Sequence, residues 1–180
     1  MAKLIGLTGL ARCGKDTAAD ILCAEFGYAK MAFADPLKKA VASVANEPVS
    51  NFYDNNLKEM PCPVTGRTRR VTMQAVGEGL RHILGQNIWL ANMACRLQTS
   101  PVGVVISDVR YDNEAKFILG HGGVVIKIHR ESAGLHGAEG NHSSEQGISD
   151  HLVYATVTNN GTVESLREAL LLLLKTESKA

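Results

Sequence analysis

The stretch Leu4-Ile5-Gly6-Leu7-Thr8-Gly9-Leu10-Ala11-Arg12-Cys13-Gly14-Lys15-Asp16-Thr17 runs from an apolar segment into a glycine-bounded loop, and from there into a helical pattern. Strand, glycine loop and helix in that order form the setting of a phosphate-binding loop. The two glycines let backbone N–H groups turn inward around a polyphosphate, with Leu10, Ala11, Arg12, Cys13 and Gly14 as the wall of the cradle. The helix that begins near Lys15 aims its positive dipole end at the same anion. Lys15 adds a mobile cation for the β- and γ-phosphates. Asp16 stands where Ser or Thr usually offers magnesium a hydroxyl, and Thr17 follows. A carboxylate is also a hard oxygen ligand, but it could equally repel the phosphates or simply suit the helix dipole.

Working outward, strands and helices alternate, which predicts an α/β fold with a parallel sheet and helices on both faces. The pattern predicts strands at 3–8, 28–32, 102–106, 124–129 and 152–157. It predicts helices at 15–26, 35–44, 72–84, 88–98, 113–119 and 162–175, with Asp35 as N-cap before Pro36 and Thr162 capping the last. That last helix carries Leu166, Leu170, Leu173 and Leu174 on one face. Residues 46–71 are irregular, broken by Pro48, Pro61 and Pro63 and made basic by Lys58, Arg67, Arg69 and Arg70. From 132 to 141 glycine is dense and large apolar residues are scarce, which reads as a mobile surface loop. A short helical turn is expected at 143–147. Trp89 reads as core.

At 180 residues the chain suits a single domain, 1–180, with an insert at about 46–98 and a lid at about 130–145. A net charge of +1 argues against tight nonspecific nucleic-acid binding. The N-terminus lacks a signal-peptide pattern, and both its apolar run and the leucines at 170–174 are too short to span a bilayer. Cys13, Cys23, Cys62 and Cys95 are scattered, without metal-ligand spacing, so reduced thiols in a cytoplasmic protein are expected.

Asp108 closes an apolar strand, where a carboxylate can hold a magnesium-bound water against the β- and γ-phosphates. Arg130 opens the glycine-rich loop, placed to neutralise charge on a phosphoryl group in flight. Arg110, two positions after Asp108, is expected at the carboxyl end of the sheet, where ligands bind in such folds. Arg81 and Glu78 are either an exposed i,i+3 pair or readers of a second substrate. Arg67, Arg69 and Arg70 read as a solvated face, or as a lining for an acceptor phosphate. Asp35 is either an ordinary helix cap, a base for a hydroxyl acceptor, or an anchor for a sugar hydroxyl when the acceptor is a phosphate. His142 and His151 show no metal-ligand pattern.

Several of these stretches together resemble the deoxynucleoside monophosphate kinases of tailed bacteriophages. They are Gly6-Leu7-Thr8-Gly9 through Gly14-Lys15-Asp16-Thr17, and Phe33-Ala34-Asp35-Pro36-Leu37-Lys38. Val105-Ile106-Ser107-Asp108-Val109-Arg110-Tyr111-Asp112-Asn113-Glu114-Ala115 follows, then His142-Ser143-Ser144-Glu145, Asp150 and Thr158-Asn159-Asn160-Gly161-Thr162. Dephospho-coenzyme A kinases look similar over the first and last of these, and transfer to a hydroxyl is the rival enzyme reading; a noncatalytic nucleotide-binding or regulatory protein is the third, and the set of Lys15, Asp108 and Arg130 speaks against it. The resemblance implies a three-layer P-loop kinase fold with a five-stranded sheet, a helical acceptor-binding insert and a lid. It implies ATP- and Mg²⁺-dependent phosphorylation of a deoxynucleoside 5′-monophosphate, acting on small-molecule nucleotides in the cytoplasm, the host's if the chain is phage-encoded. It implies Lys15 and Arg130 as charge stabilisers, Asp108 with Asp16 at the metal, and Asn160 and Gly161 near the adenine. Near the acceptor it suggests Asp35, Arg70, Glu78, Arg81 and Arg110. A homodimer is a family-level expectation.

Overall fold

The computed structural model describes residues 4–134 and 146–177. Five strands, β1 (Leu4–Thr8), β2 (Ala29–Met31), β3 (Val104–Val109), β4 (Val124–His129) and β5 (Ala155–Thr158), pair in the order β2-β3-β1-β4-β5, every pair parallel. Among the described residues the α-helices are α1 (Lys15–Phe26), α2 (Asp35–Ala45), α3 (Arg69–Leu84), α4 (Ile88–Gln98), α5 (Asp112–Gly120) and α6 (Val163–Glu177). The chain groups into two compact units, one of Met1–Ala32 with Arg96–Ala180, the other Phe33–Cys95.

The first unit holds the sheet. Side chains alternate across a strand, so Ile5, Leu7, Val105, Ile126 and Ile128 share one face. There they join Ala18 and Leu22 of α1 and Leu166, Leu170 and Leu174 of α6 in one buried cluster. On the other face α5 lies so close to β1 that a Cβ on Gly6 would collide with Ile118. Burial on both faces is what a parallel sheet requires, and it explains the nearly unbroken apolar runs of β1 and β4.

Two strands differ from their sequence reading by more than one residue at an end. β3 extends to Val109 where the apolar run suggested an end at 106, because buried Ser107 and Val109 continue the strand and Val109 pairs with Thr8. Asp108 therefore lies one residue inside the strand end. β5 begins at Ala155, opposite Ile126, and Leu152 belongs to a 3₁₀ turn at Asp150–Leu152. The chain leaves β1 through α1 toward β2 on one side, and leaves β3 through α5 toward β4 on the other. Their shared carboxyl ends thus form the topological switch point at which open α/β sheets bind ligands.

In the second unit α2 packs on α3 and on a 3₁₀ turn at Val49–Phe52, with Phe52 and Cys62 fully buried. A Cβ on Gly77 of α3 would stand 2.9 Å from the end of the Leu37 side chain of α2, which would have to shift to admit it. α3 starts at Arg69, not at 72, because the Thr68 hydroxyl accepts the Val71 N–H at 3.1 Å and caps it there. α2 starts at Asp35 itself, with Ala34 in the cap position, so Asp35 is the first helical residue and not the expected N-cap. Trp89 is buried in α4, as its apolar setting implied. Among the described residues no helix is long and apolar enough to cross a membrane.

Candidate active site

The loop between β1 and α1 is shaped by its glycines. Gly9 has φ +136°, and a Cβ there would collide with the Ile128 carbonyl. Gly14, at φ +101°, is the N-cap of α1, and a Cβ there would collide with the Asn159 side chain. No side chain caps the helix. A helix N-terminus of this kind is the end at which the dipole favours an anion. The Cys13 N–H donates to the Leu10 carbonyl at 3.3 Å. Its side chain is buried beneath the loop.

Lys15 is only 9 % exposed. Its ammonium donates to the Gly9 and Leu10 carbonyls, each at 2.8 Å, and stands 3.8 Å from Cys13 Sγ. These carbonyls hold the cation folded onto the loop, and a phosphate oxygen offers it a full negative charge in exchange.

Asn159, which the sequence marks only as part of the turn after the last strand, fixes the loop from beneath. Its buried side-chain amide donates to the Cys13 carbonyl at 2.9 Å, and its backbone N–H donates to the His129 carbonyl at 2.7 Å. Asn160, the neighbour read as an adenine contact, makes a reciprocal pair with Glu131. Its carbonyl oxygen accepts the Glu131 N–H at 3.1 Å, and its amide donates to the Glu131 carboxylate at 2.9 Å. The Gly134 N–H then donates to the Ala11 carbonyl at 2.9 Å. Residues 131–134 are thus tied to the cradle and to the turn after β5. The rest of the expected lid, His142 and residues 143–145 of the expected turn lie outside the described residues, while 146 and 147 are not helical.

Arg130 follows β4 directly and is half-buried. It lines a cavity of about 250 Å³ together with Gly9, Leu10, Lys127, His129 and Ile148. Asp108 is half-buried near the end of β3. Arg110 begins the next turn, its N–H bound at 2.8 Å by the buried Glu114 carboxylate of α5. Asp112 in the same helix accepts the Ser149 hydroxyl at 2.7 Å and the Ser149 N–H at 2.8 Å, and these bonds hold its carboxyl below the usual range.

Asp16 and Asp20 both pair with Lys30 of β2, each at 3.0 Å. Burial pulls the Lys30 ammonium down, but its bonds to Asp20 and Asp16 outweigh that, and its pKa is raised. Among the described residues no three His, Cys, Asp or Glu side chains cluster as a metal cage. Separate hard oxygen donors at Asp108, Asp16 and Thr17 fit magnesium, which takes one or two protein carboxylates and leaves its other positions to phosphate and water.

In the second unit the Asp35 carboxylate accepts the Tyr53 hydroxyl at 2.8 Å, and the Lys38 ammonium stands 4.0 Å over the Tyr53 ring. Arg70 donates twice to Glu59 Oε1, at 2.9 and 2.7 Å. Arg69 is no solvated residue: it is buried, ion-paired to Glu47, and bound to the Leu57 and Met60 carbonyls. Arg81 donates to the Gln86 carbonyl at 3.2 Å near the end of α3, and Glu78 lies exposed one turn before it.

A family model described as deoxynucleotide monophosphate kinase matches residues 3–63. A protein of Acanthamoeba polyphaga mimivirus that carries the name of a deoxynucleotide monophosphate kinase is 34% identical over 177 residues, covering 89% of this chain and 90% of its own. Among solved structures, the dephospho-CoA kinase of Campylobacter jejuni aligns with a TM-score of 0.54 at 14% identity, over 99% of this chain and 98% of that one. A Thermus thermophilus protein aligns at 0.52 and 17%, over 96% of each chain. These two likenesses concern the fold.

Proposed function

The chain belongs to the deoxynucleotide monophosphate kinase family, and from that premise we propose that it moves the γ-phosphoryl group of ATP onto the 5′-phosphate of a deoxynucleoside monophosphate, yielding ADP and the diphosphate. The observation that carries this reading is the Lys15 ammonium, held by the Gly9 and Leu10 carbonyls at the mouth of an uncapped helix N-terminus.

The cradle from Leu10 to Thr17 binds the donor's phosphates through backbone N–H groups, and Lys15 transfers its hydrogen bonds from the loop carbonyls to phosphate oxygens. As the bond to the leaving ADP oxygen breaks, negative charge spreads over the equatorial oxygens and the leaving group. Lys15 and Arg130 neutralise it from fixed positions, so little reorganisation is needed at the moment of transfer. Asp108, with Asp16 or Thr17, would hold magnesium, which supplies further charge neutralisation at the β- and γ-phosphates. Asn160 and Gly161 border the adenine. On the acceptor side Asp35 holds a sugar hydroxyl, while Arg81, Arg110 and Arg70 answer the acceptor phosphate and Glu78 a base edge or hydroxyl. No general base is needed, because the attacking group is already an anion, with a second pKa near ~6.

A coupled ADP-release assay tests this across the four deoxynucleoside monophosphates, their ribonucleotide counterparts and dephospho-coenzyme A. ADP release that depends on a deoxynucleoside monophosphate is the expected result. Release driven by dephospho-coenzyme A alone would transfer the site to hydroxyl phosphorylation, and release without any acceptor would make it an NTPase.

A further inference from the structure

Asp16 sets an electrostatic problem. At the second position of α1 it belongs to the helical turn that would receive the triphosphate, where the common pattern has a neutral hydroxyl. A carboxylate there repels an anionic ligand. The structure brings a cation to it from outside the loop. Lys30, in the middle of β2, places its ammonium 3.0 Å from Asp16 Oδ1, 3.0 Å from Asp20 Oδ1 and 3.4 Å from the Asp16 carbonyl. Asp16 and Asp20 are four residues apart, on one side of α1. Lys30 is the more sheltered partner, its side chain 33% exposed against 72% for Asp16 and 68% for Asp20.

We propose that Lys30 is a positioning residue of the nucleotide site: it neutralises Asp16 and draws its carboxylate along α1 toward Asp20, which allows the loop to take a polyphosphate with an acid where a hydroxyl is usual. The inference rests on the nucleotide reading above. The trio of Lys30, Asp16 and Asp20 carries one net negative charge. Lys30→Met makes that two, Asp16→Asn makes it zero, and the double variant restores the original value.

The test is calorimetric titration of ATP into each variant in metal-free buffer, with melting curves to establish that each is folded. Affinity should rank Asp16→Asn first, the unaltered protein and the double variant together next, and Lys30→Met last. Each step should be roughly three- to tenfold at low salt and should shrink as ionic strength rises. Lys30→Arg should bind as the unaltered protein does. A packing role for Lys30 would produce neither the rescue by Asp16→Asn nor the salt dependence. Unchanged affinity in Lys30→Met, or a double variant as weak as Lys30→Met, overturns the inference while leaving the nucleotide reading intact. The Asp16→Asn arm stands by itself if Lys30→Met does not fold: affinity no higher than that of the unaltered protein also overturns it. If the unaltered protein takes up no ATP, the nucleotide reading falls and this inference with it.

Discussion

Lys15 illustrates how much a single residue can announce. Its place after Gly14 and before a helical pattern is what assigns it the phosphate-binding task proposed above, because few other functions need glycine, lysine and a helix N-terminus in that order. Lys15→Ala is expected to lower turnover by about 10²–10³-fold, the usual loss when one charge-stabilising donor is removed, with little change in melting temperature. A steady-state assay beside a thermal melt reads both. Asn159 illustrates the opposite case. In the sequence it is the first letter of an Asn-Asn-Gly turn, and its tertiary task depends on a partner, the Cys13 carbonyl, far away along the chain. Asn159→Ala leaves that buried carbonyl without its donor, a change worth about 1–3 kcal/mol, so both stability and ATP affinity should fall. Denaturant unfolding and nucleotide titration of the same variant check this. Asp35 was open to three readings. It is the first residue of α2 and not its N-cap, and its carboxylate accepts from Tyr53, which leaves the two acceptor readings. Asp35→Asn should raise the acceptor KM about tenfold with kcat nearly intact, the kinetic pattern of lost binding rather than lost chemistry. A severe kcat defect at unchanged acceptor affinity would restore the general-base reading.

At the scale of elements, α3 starts three residues before the position its sequence pattern predicts, and the cause is physical. Arg69 and Arg70 looked like a hydrophilic loop because charge usually marks solvent, whereas here both guanidinium groups are satisfied by carboxylates, Glu47 and Glu59. The Arg69 and Glu47 side chains retain only 9% and 8% exposure. Removing one member strands the other in a poorly solvated place. Arg69→Met should therefore destabilise the second unit by about 3 kcal/mol, and Glu47→Gln in the same chain should recover part of the loss. Urea unfolding of the single and double variants gives the comparison. Burial alone would raise the Glu47 carboxyl, but the hydrogen bonds from Asn51 and Arg69 prevail and hold it below its ordinary value of 4.5. A depressed carboxyl stabilises the fold above its unfolded pKa, and that contribution is lost as pH falls through the folded value. Stability attributable to this pair should consequently be flat above about pH 5 and decline below it, a decline absent from the double variant. For β3 the apolar run likewise stops short, ending at 106 before the strand does. The backbone register with β1 carries Ser107 and Asp108 inside the strand, and this brings Asp108 to the carboxyl edge of the sheet.

At the scale of the whole molecule, the parallel sheet with helices on both faces was plain in the alternation of strand and helix patterns, and β1 and β4 stand nearly where their apolar runs put them. The two compact units were less plain. Proline and basic residues marked a change of character at 46, whereas the second unit opens at Phe33, because α2 packs on α3 and on the turn at Val49–Phe52 and so belongs with them. Contacts of that kind join segments distant in sequence, and local composition does not report them. The donor-side residues Lys15, Asp108 and Arg130 fall in the first unit and Asp35, Arg70, Glu78 and Arg81 in the second. The most direct measurement is to follow ATP labelled in its γ-phosphate, with magnesium and one deoxynucleoside monophosphate, and to locate the label by chromatography. The account predicts label in the β-position of the deoxynucleoside diphosphate, dependent on Lys15. Label appearing as inorganic phosphate, on a hydroxyl of another acceptor, or remaining wholly in ATP with every deoxynucleotide tried would contradict it.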